Sequence, residues 1–287
     1  MHIHSSSSAT VAVVTGASRG IGKGVARALG ATGATVYVTG RSVSGGQGTL
    51  AETAAAVDAA GGRGIAVVCD HGDEAQVRAL FGQVRAEQGR LDLLVNNAAH
   101  VDPELATPGN FWEKPARLGE MIRIGLHSHY LAACHAAPLL VARRRGLIAN
   151  ISFYGSVCYF YGPAYGAAKA GTDKMTADMA VDLRPFDVAA VSLWPGFVAT
   201  ERIAPLRNGL SPAEAEARFG HFETPEFTGH VIAALLADPD RMTLTGQALI
   251  VAELAGRYGI RDAGGRQPPS YRDSLGAPHP PGTVIVR

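Results

Sequence analysis

The sequence predicts an α/β fold: a doubly wound, parallel, seven-stranded sheet covered by helices on both faces. Three observations carry that reading. Apolar runs of four to seven residues alternate with longer stretches of helical period along the chain. The runs are near-continuously apolar, as strands buried on both faces are. The regular β–α alternation calls for parallel pairing through right-handed crossovers, the Rossmann-type arrangement.

In chain order, strands are expected over 11–14, 35–39, 64–69, 91–95, 147–151, 188–193 and 248–251. Helices are expected over 20–32, 48–60, 73–88, 116–145, 164–183 and 226–237. Two stretches break the rhythm. Residues 100–118 carry three prolines and make a long loop after the fourth strand. Residues 196–225 follow the sixth strand, where sheets of this kind place a substrate lid. No internal repeat or long linker divides the chain, so 10–260 reads as one domain holding both loops. The Pro- and Gly-rich tail, 261–287, is expected to wrap the surface or a neighbouring subunit. The first nine residues have no apolar core of a signal peptide and read as a flexible leader or an expression remnant.

Composition excludes several classes. Of 287 residues, 47% are apolar and 18% charged, unlike a chain that stays disordered for want of apolar surface. The 35 glycines exceed the usual level of about 7%, but they lack the three-residue period of collagen. Three cysteines, Cys69, Cys134 and Cys158, make no disulfide framework and match no zinc spacing, which favours a reducing, cytoplasmic setting. A net charge of +1 gives no bulk field for nucleic acid or an anionic membrane. The longest apolar run, 131–142, has about twelve residues, and a membrane span needs about twenty.

The glycines that matter follow the first strand: Thr15-Gly16-Ala17-Ser18-Arg19-Gly20-Ile21-Gly22. Without Cβ atoms the turn can tighten and its backbone can approach a pyrophosphate, which a helix N-terminus stabilises. On a strand–turn–helix that opens a βαβ unit, the pattern is a dinucleotide site, with Gly16, Ser18, Arg19, Gly20, Ile21 and Gly22 as its contacts. An NAD site wants a carboxylate about 20 residues further on, at the end of the second strand. Gly40 stands there instead, followed by Arg41 and Ser42. Arg19 and Arg41 can together neutralise a ribose 2′-phosphate through their forked donors. NADP(H) is therefore expected over NAD(H).

TGASRGIG at 15–22, Asn96-Asn97-Ala98, Tyr165-Gly166-Ala167-Ala168-Lys169 and Pro195-Gly196 occur in order. Together they resemble the short-chain dehydrogenase/reductase family over roughly residues 10–252. The segments FWEKPA (111–116), GLHSHY (125–130), VSLWPG (191–196) and AGRYGIRD (255–262) point to its member 1 branch. The resemblance implies a hydride-transferring enzyme with Tyr165 as general acid–base and Lys169 beside it, both also touching the cofactor. It implies that Asp70 flanks the adenine, that Asn97 meets the cofactor ribose, and that Val198 and Thr200 meet the nicotinamide carboxamide or the phosphates. It also implies a homodimer or homotetramer.

The tyrosine pair has its own physics. Four residues apart on a helix, Tyr165 and Lys169 share a face with Cβ atoms roughly 5–6 Å apart. A free phenol titrates near 10. An ammonium about 4 Å away, at an effective dielectric near 20, would favour phenolate by about 4 kcal/mol, or roughly three pK units. Taken alone, the pair is equally an incidental feature of an amphipathic helix.

Ser152 lies thirteen residues before Tyr165 and matches the family's serine, which hydrogen-bonds the substrate carbonyl; Ser156 is the competing choice. The family's usual asparagine, in a pattern N-L-x-x-x-[FY], is replaced by Gly125. Glycine permits a helix kink but supplies no amide, so proton resupply would pass to another group, with His127 or Ser128 as candidates. His127, His129 and His135 do not make a metal site, because helical residues two apart point to different faces.

Phe153, Tyr154, Tyr159, Phe160 and Tyr161, joined by Phe111 and Trp112, suggest an apolar rim, and 152–165 holds no arginine to clamp a carboxylate. A small hydrophobic ketone or secondary alcohol is the expected substrate. The same aromatics could instead pack a subunit interface. The rival reading is a catalytically weak NADP(H)-binding redox sensor or scaffold, motivated by Gly125.

Overall fold

The computed structural model describes residues 9–43, 48–282 and 284–286. Ala9 aside, the expected leader lies outside the described residues.

The chain forms β1 (Val11–Thr15), α1 (Gly20–Gly30), β2 (Thr35–Gly40), α2 (Leu50–Ala59), β3 (Arg63–Val68), α3 (Glu74–Gln88) and β4 (Leu93–Asn96). Then follow α4 (Glu120–Ile122), α5 (Ser128–Arg143), β5 (Gly146–Ile151), α6 (Pro163–Leu183) and β6 (Val188–Trp194). The last elements are α7 (Pro212–Phe219), α8 (Pro225–Ala237), β7 (Ala248–Ile250), α9 (Val251–Tyr258) and α10 (Arg272–Leu275). The strands pair in parallel in the order β3-β2-β1-β4-β5-β6-β7. This is the expected doubly wound sheet, and its strand order reverses between β1 and β4.

Pleating sends alternate side chains to opposite faces. Val14, Val36, Leu93, Leu147 and Val191 meet Val25 and Leu29 of α1 and Phe227 and Val231 of α8. Val13, Tyr37, Leu94, Ile148 and Ala190 meet Val77 and Leu80 of α3 and Ala136 and Leu140 of α5. Helices α1 and α8 pack so closely that a Cβ on Gly24 would stand 2.2 Å from the Pro225 carbonyl carbon.

One expected helix is divided, and the two long loops take on local structure. The helix expected over 116–145 is divided: a 3₁₀ turn at Ala116–Gly119, α4, a π-helical turn at Arg123–His127, then α5. The π turn centres on Gly125; such single-turn insertions are rare in α-helices and frequent at functional sites. The loop 100–118 is built from one-turn 3₁₀ helices at Pro103–Ala106, Phe111–Glu113 and Ala116–Gly119. The segment 196–225 contains α7, capped by a reciprocal Ser211–Glu214 box.

The C-terminal segment turns back over the fold. Asp262 accepts from the Thr224 backbone N–H at 2.9 Å, and Arg272 holds Glu253 through two bonds of 2.8 and 2.6 Å. The Tyr271 N–H donates to the Tyr154 hydroxyl at 3.1 Å. Among the described residues no helix is long and apolar enough to cross a membrane.

Candidate active site

A cleft of about 590 Å³ opens at the carboxyl ends of the strands, across the point where strand order reverses. Open α/β sheets place ligands there. One end holds Gly16, Ser18, Arg19, Gly20, Ile21, Arg41, Asp70 and Asn97; the other holds Ser152, Tyr165, Lys169, Val198 and Thr200. Of the residues expected to bind cofactor or to carry the acid–base chemistry, Gly22 alone does not line it.

The glycine turn is built as its sequence requires. Gly16 and Gly20 have φ of +63° and +56°, a region L side chains avoid. A Cβ on Gly16 would lie 2.8 Å from the Cα of Ala98. Gly22 acts inside the turn: its Cβ would meet Asn97 Nδ2 at 2.5 Å and the Gly16 carbonyl oxygen at 2.6 Å. Asn97 Nδ2 donates to the carbonyls of Thr15 and Gly16, both at 3.0 Å, so this amide locks the turn. The N–H of Gly20, opening α1, donates to Glu201 Oε2 at 2.8 Å. A carboxylate from the segment after β6 thus caps the N-terminus of α1, the end of a helix that favours anions.

At the far end of β2, Arg41 Nη1 lies 3.6 Å from Asp70 Oδ2, and Arg19 Nη2 donates to Ser42 Oγ at 3.1 Å. His71 also lines this end, a residue the sequence reading passed over. It is buried, its Nε2 is 2.9 Å from Thr39 Oγ1, and burial pushes its pKa down to about 4. Its signal was its place directly after Asp70, at the exit of the third strand.

At the other end, α6 carries Tyr165 and Lys169, both buried. Lys169 Nζ lies 5.7 Å from the centre of the Tyr165 ring and donates to the Ile151 carbonyl at 3.0 Å. The expected lowering of the phenol is not found. Burial, then the neighbouring Tyr161 and Cys158, push Tyr165 above the ordinary phenol value. A phenolate in a dry pocket loses more hydration than an ammonium turned to another acceptor returns. Burial also lowers Lys169, to about 8, against the opposing charge of Asp173. Ser152 follows β5 directly; its Oγ donates to the Lys169 backbone carbonyl at 3.2 Å. Ser156 does not line the cleft.

Gly125 is buried, and its carbonyl accepts from Thr172 Oγ1 at 3.4 Å. The two expected substitutes for the missing amide lie outside the lining of the cleft. His127 is exposed, and Ser128 spends its hydroxyl on the Ile124 carbonyl at 2.6 Å. His135 lies 3.8 Å from Glu74. Among the described residues no group of three or more potential ligands could hold a metal ion.

Phe153, Phe160 and Tyr161 line the cleft, as do Phe197 and Phe222, which the sequence reading did not name. Tyr154 is instead fully buried against Trp194, with ring centres 5.2 Å apart. Phe111, Trp112 and Tyr159 are exposed; Phe111 and Tyr159 line a separate cavity of about 170 Å³.

A family model described as short chain dehydrogenase matches residues 10–210. The chain is 43% identical over 274 residues to Dehydrogenase/reductase SDR family member 1 of Homo sapiens, covering 91% of this chain and 85% of that protein. It resembles a short chain dehydrogenase structure from Mycobacterium thermoresistibile (TM-score 0.76, 25% identity, 88% of this chain and 89% of that one). It also resembles a variant of actinorhodin polyketide ketoreductase solved with NADPH (TM-score 0.72, 26% identity, 85% and 95%). The member 1 branch indicated by the four short segments is the one this similarity supports. With its sheet, glycine turn and Tyr–Lys helix, the chain belongs to the short-chain dehydrogenase/reductase family of oxidoreductases.

Proposed function

We propose that the protein is an NADP(H)-dependent oxidoreductase acting on an apolar ketone or secondary alcohol, with Tyr165 as the general acid–base. The observation that carries this is the single cleft: a glycine turn flanked by Arg19 and Arg41 at one end, Ser152, Tyr165 and Lys169 at the other. The turn's positive-φ glycines leave the close backbone approach that a pyrophosphate needs. The ketoreductase solved with NADPH supports the choice of cofactor, as does Gly40 in place of a carboxylate at the end of β2.

Bound in the cleft, the nicotinamide supplies or accepts the hydride. The protein's own residues do the rest. A buried phenol with a raised pKa is protonated near neutrality, the state that donates to a forming alkoxide. Ser152 exchanges its bond to the Lys169 carbonyl for one to the substrate oxygen, stabilising the charge that develops there. Lys169, titrating near 8, remains largely cationic at neutral pH. Phe153, Phe160, Phe197 and Phe222 favour an apolar substrate and exclude water. We read the assembly as a cytoplasmic homodimer or homotetramer.

The test is NADPH consumption with a panel of apolar ketones, with Tyr165→Phe alongside. Tight NADPH binding without turnover of any ketone would leave the sensor or scaffold reading instead.

A further inference from the structure

The second cavity, of about 170 Å³, lies beside the cleft. One wall is the loop of 3₁₀ turns after β4, through Leu105, Phe111 and Leu118; the other is Tyr159, Tyr161 and the first turn of α6. Among the described residues that line it, Lys114 alone is charged, and its Nζ donates to the Leu105 carbonyl at 3.1 Å. Its alkyl stem is then what it adds to the lining. A void of about 150 Å³ lined by apolar side chains takes up a benzene ring. This one has room for a ring or a short alkyl chain.

Tyr161 is the partition. Among the described residues it alone lines both the cavity and the cleft. On the cleft side its ring stands 5.4 Å from that of Tyr165 and 4.4 Å from that of Phe160. Its φ is +59°, a left-handed conformation in which a tyrosine is strained. Gly162 follows at +99°, and Pro163 then opens α6. Strain of this kind collects at ligand clamps and switch regions. The side chain itself is loosely held: the residue is 39% exposed, and no hydrogen bond anchors its hydroxyl among the described residues. The opposite wall is tied down. Asp102 accepts from the Glu104 N–H at 2.9 Å and from Arg117 Nε at 3.1 Å, and Glu113 accepts from the Asn110 N–H at 2.8 Å. A turn of the Tyr161 ring joins cavity to cleft while the loop stays in place.

We propose that the cavity is a second substrate subsite and that Tyr161 is the specificity-determining residue at its entrance. The substrate is a ketone or secondary alcohol with an apolar tail, its oxygen at Tyr165 and its tail lodged beyond Tyr161. The proposal rests on the reading of Ser152, Tyr165 and Lys169 as the reacting end of the cleft, and it narrows the substrate class. The Tyr161 ring packs edge-on against that of Tyr165, at 84°, so a chain leaving a carbonyl at the phenol meets the partition directly. A carboxylate at the end of the tail is not favoured, because Lys114 is turned to a backbone carbonyl and no arginine is among the residues lining the cavity. The competing course for a tail runs the other way, along Phe197 and Phe222. Each methylene taken out of water tightens binding about three- to four-fold, so tail length is read directly as affinity.

The test is equilibrium binding of two methyl ketones, one with a propyl and one with an octyl chain. The protein holds oxidised dinucleotide, which has no hydride to give, and calorimetry yields the ratio of the two affinities. In wild type the octyl ketone is expected to bind tighter by about ten-fold or more. Ala116 lies at the exposed rim of the cavity. Ala116→Phe fills that space and is expected to cut the ratio by about five-fold or more, the loss of one or two buried methylenes. Tyr161→Gly removes the partition with the residue that a φ of +59° favours, and is expected to raise the ratio several-fold. An unchanged ratio in either variant, or a fall in both, overturns the proposal. If Ala116→Phe does not fold, a terminally brominated octyl ketone located by anomalous scattering in wild-type crystals decides. Bromine in the cavity supports the subsite, and bromine against Phe197 and Phe222 overturns it. None of these readouts needs turnover, so absence of ketone reduction would count against the enzyme reading alone.

Discussion

Lys169 Nζ hydrogen-bonds the Ile151 carbonyl at 3.0 Å and stands 5.7 Å from the centre of the Tyr165 ring. The ammonium is thus fixed to the exit of β5, while the phenol stays protonated in its buried pocket. The two groups act at different pH values, because burial lowers Lys169 to about 8. Ketone reduction should therefore fall as pH rises through about 8, where the ammonium is lost. Initial rates from about pH 6 to about 10 check this, a range that spans the shifted and ordinary lysine values. A rate unchanged until the ordinary lysine range would contradict it.

Arg41 lies 3.6 Å from Asp70 and 65% of its side chain is exposed, which leaves it free to turn to a 2′-phosphate. Arg41→Ala should weaken NADPH binding roughly 10- to 100-fold, the range of charge-assisted hydrogen bonds. NADH binding should change little. Titrations of both dinucleotides by fluorescence measure the difference, and equal losses would refute the cofactor preference.

Glu201 accepts from the first N–H of α1 at 2.8 Å. A carboxylate there competes with a phosphate for the same helix terminus. Glu201→Ala should tighten NADPH binding roughly five-fold, read by calorimetry. Weaker binding in this variant would instead make Glu201 a support for the cofactor site.

Glu223 is fully buried, accepts from the Gly196 N–H at 2.9 Å, and leaves Oε2 without a partner among the described residues. Burial raises its pKa from 4.5 to about 8. Between those values the folded protein holds a proton that the unfolded chain releases. Its contribution to stability is full below about 4.5 and is lost as pH rises through about 8. The loss is on the order of a few kcal/mol. Melting curves across this range should flatten in Glu223→Gln relative to wild type; parallel curves would show that Glu223 does not titrate there.

Much of this was legible in the sequence because of buried parallel strands. Runs such as Val188–Trp194 are apolar throughout, so their positions appear without a periodicity argument. Strand ends shifted by a residue or two because hydrogen bonding sets them: β4 begins at Leu93, opposite Ala12, although Leu91 is equally buried. The π turn at Gly125 was hidden, since helical period alone does not distinguish it from continuous helix. The Ser211–Glu214 capping box of α7 was readable and was passed over inside an expected lid. Side-chain commitments were beyond a sequence reading. The spacing of Tyr165 and Lys169 puts them on one helix, but only packing decides that the ammonium turns to Ile151. Likewise, Phe197 and Phe222 enter the cleft because the Val198–Glu223 bridge draws the two ends of their segment together.

The most direct measurement is single-turnover oxidation of bound NADPH by an apolar ketone, in wild type and in Tyr165→Phe. The account predicts reduction by wild type and a rate about 10²- to 10⁴-fold lower in the variant, the usual contribution of a positioned proton donor, with NADPH affinity preserved. A Tyr165→Phe protein that reduces the ketone as fast as wild type would contradict it.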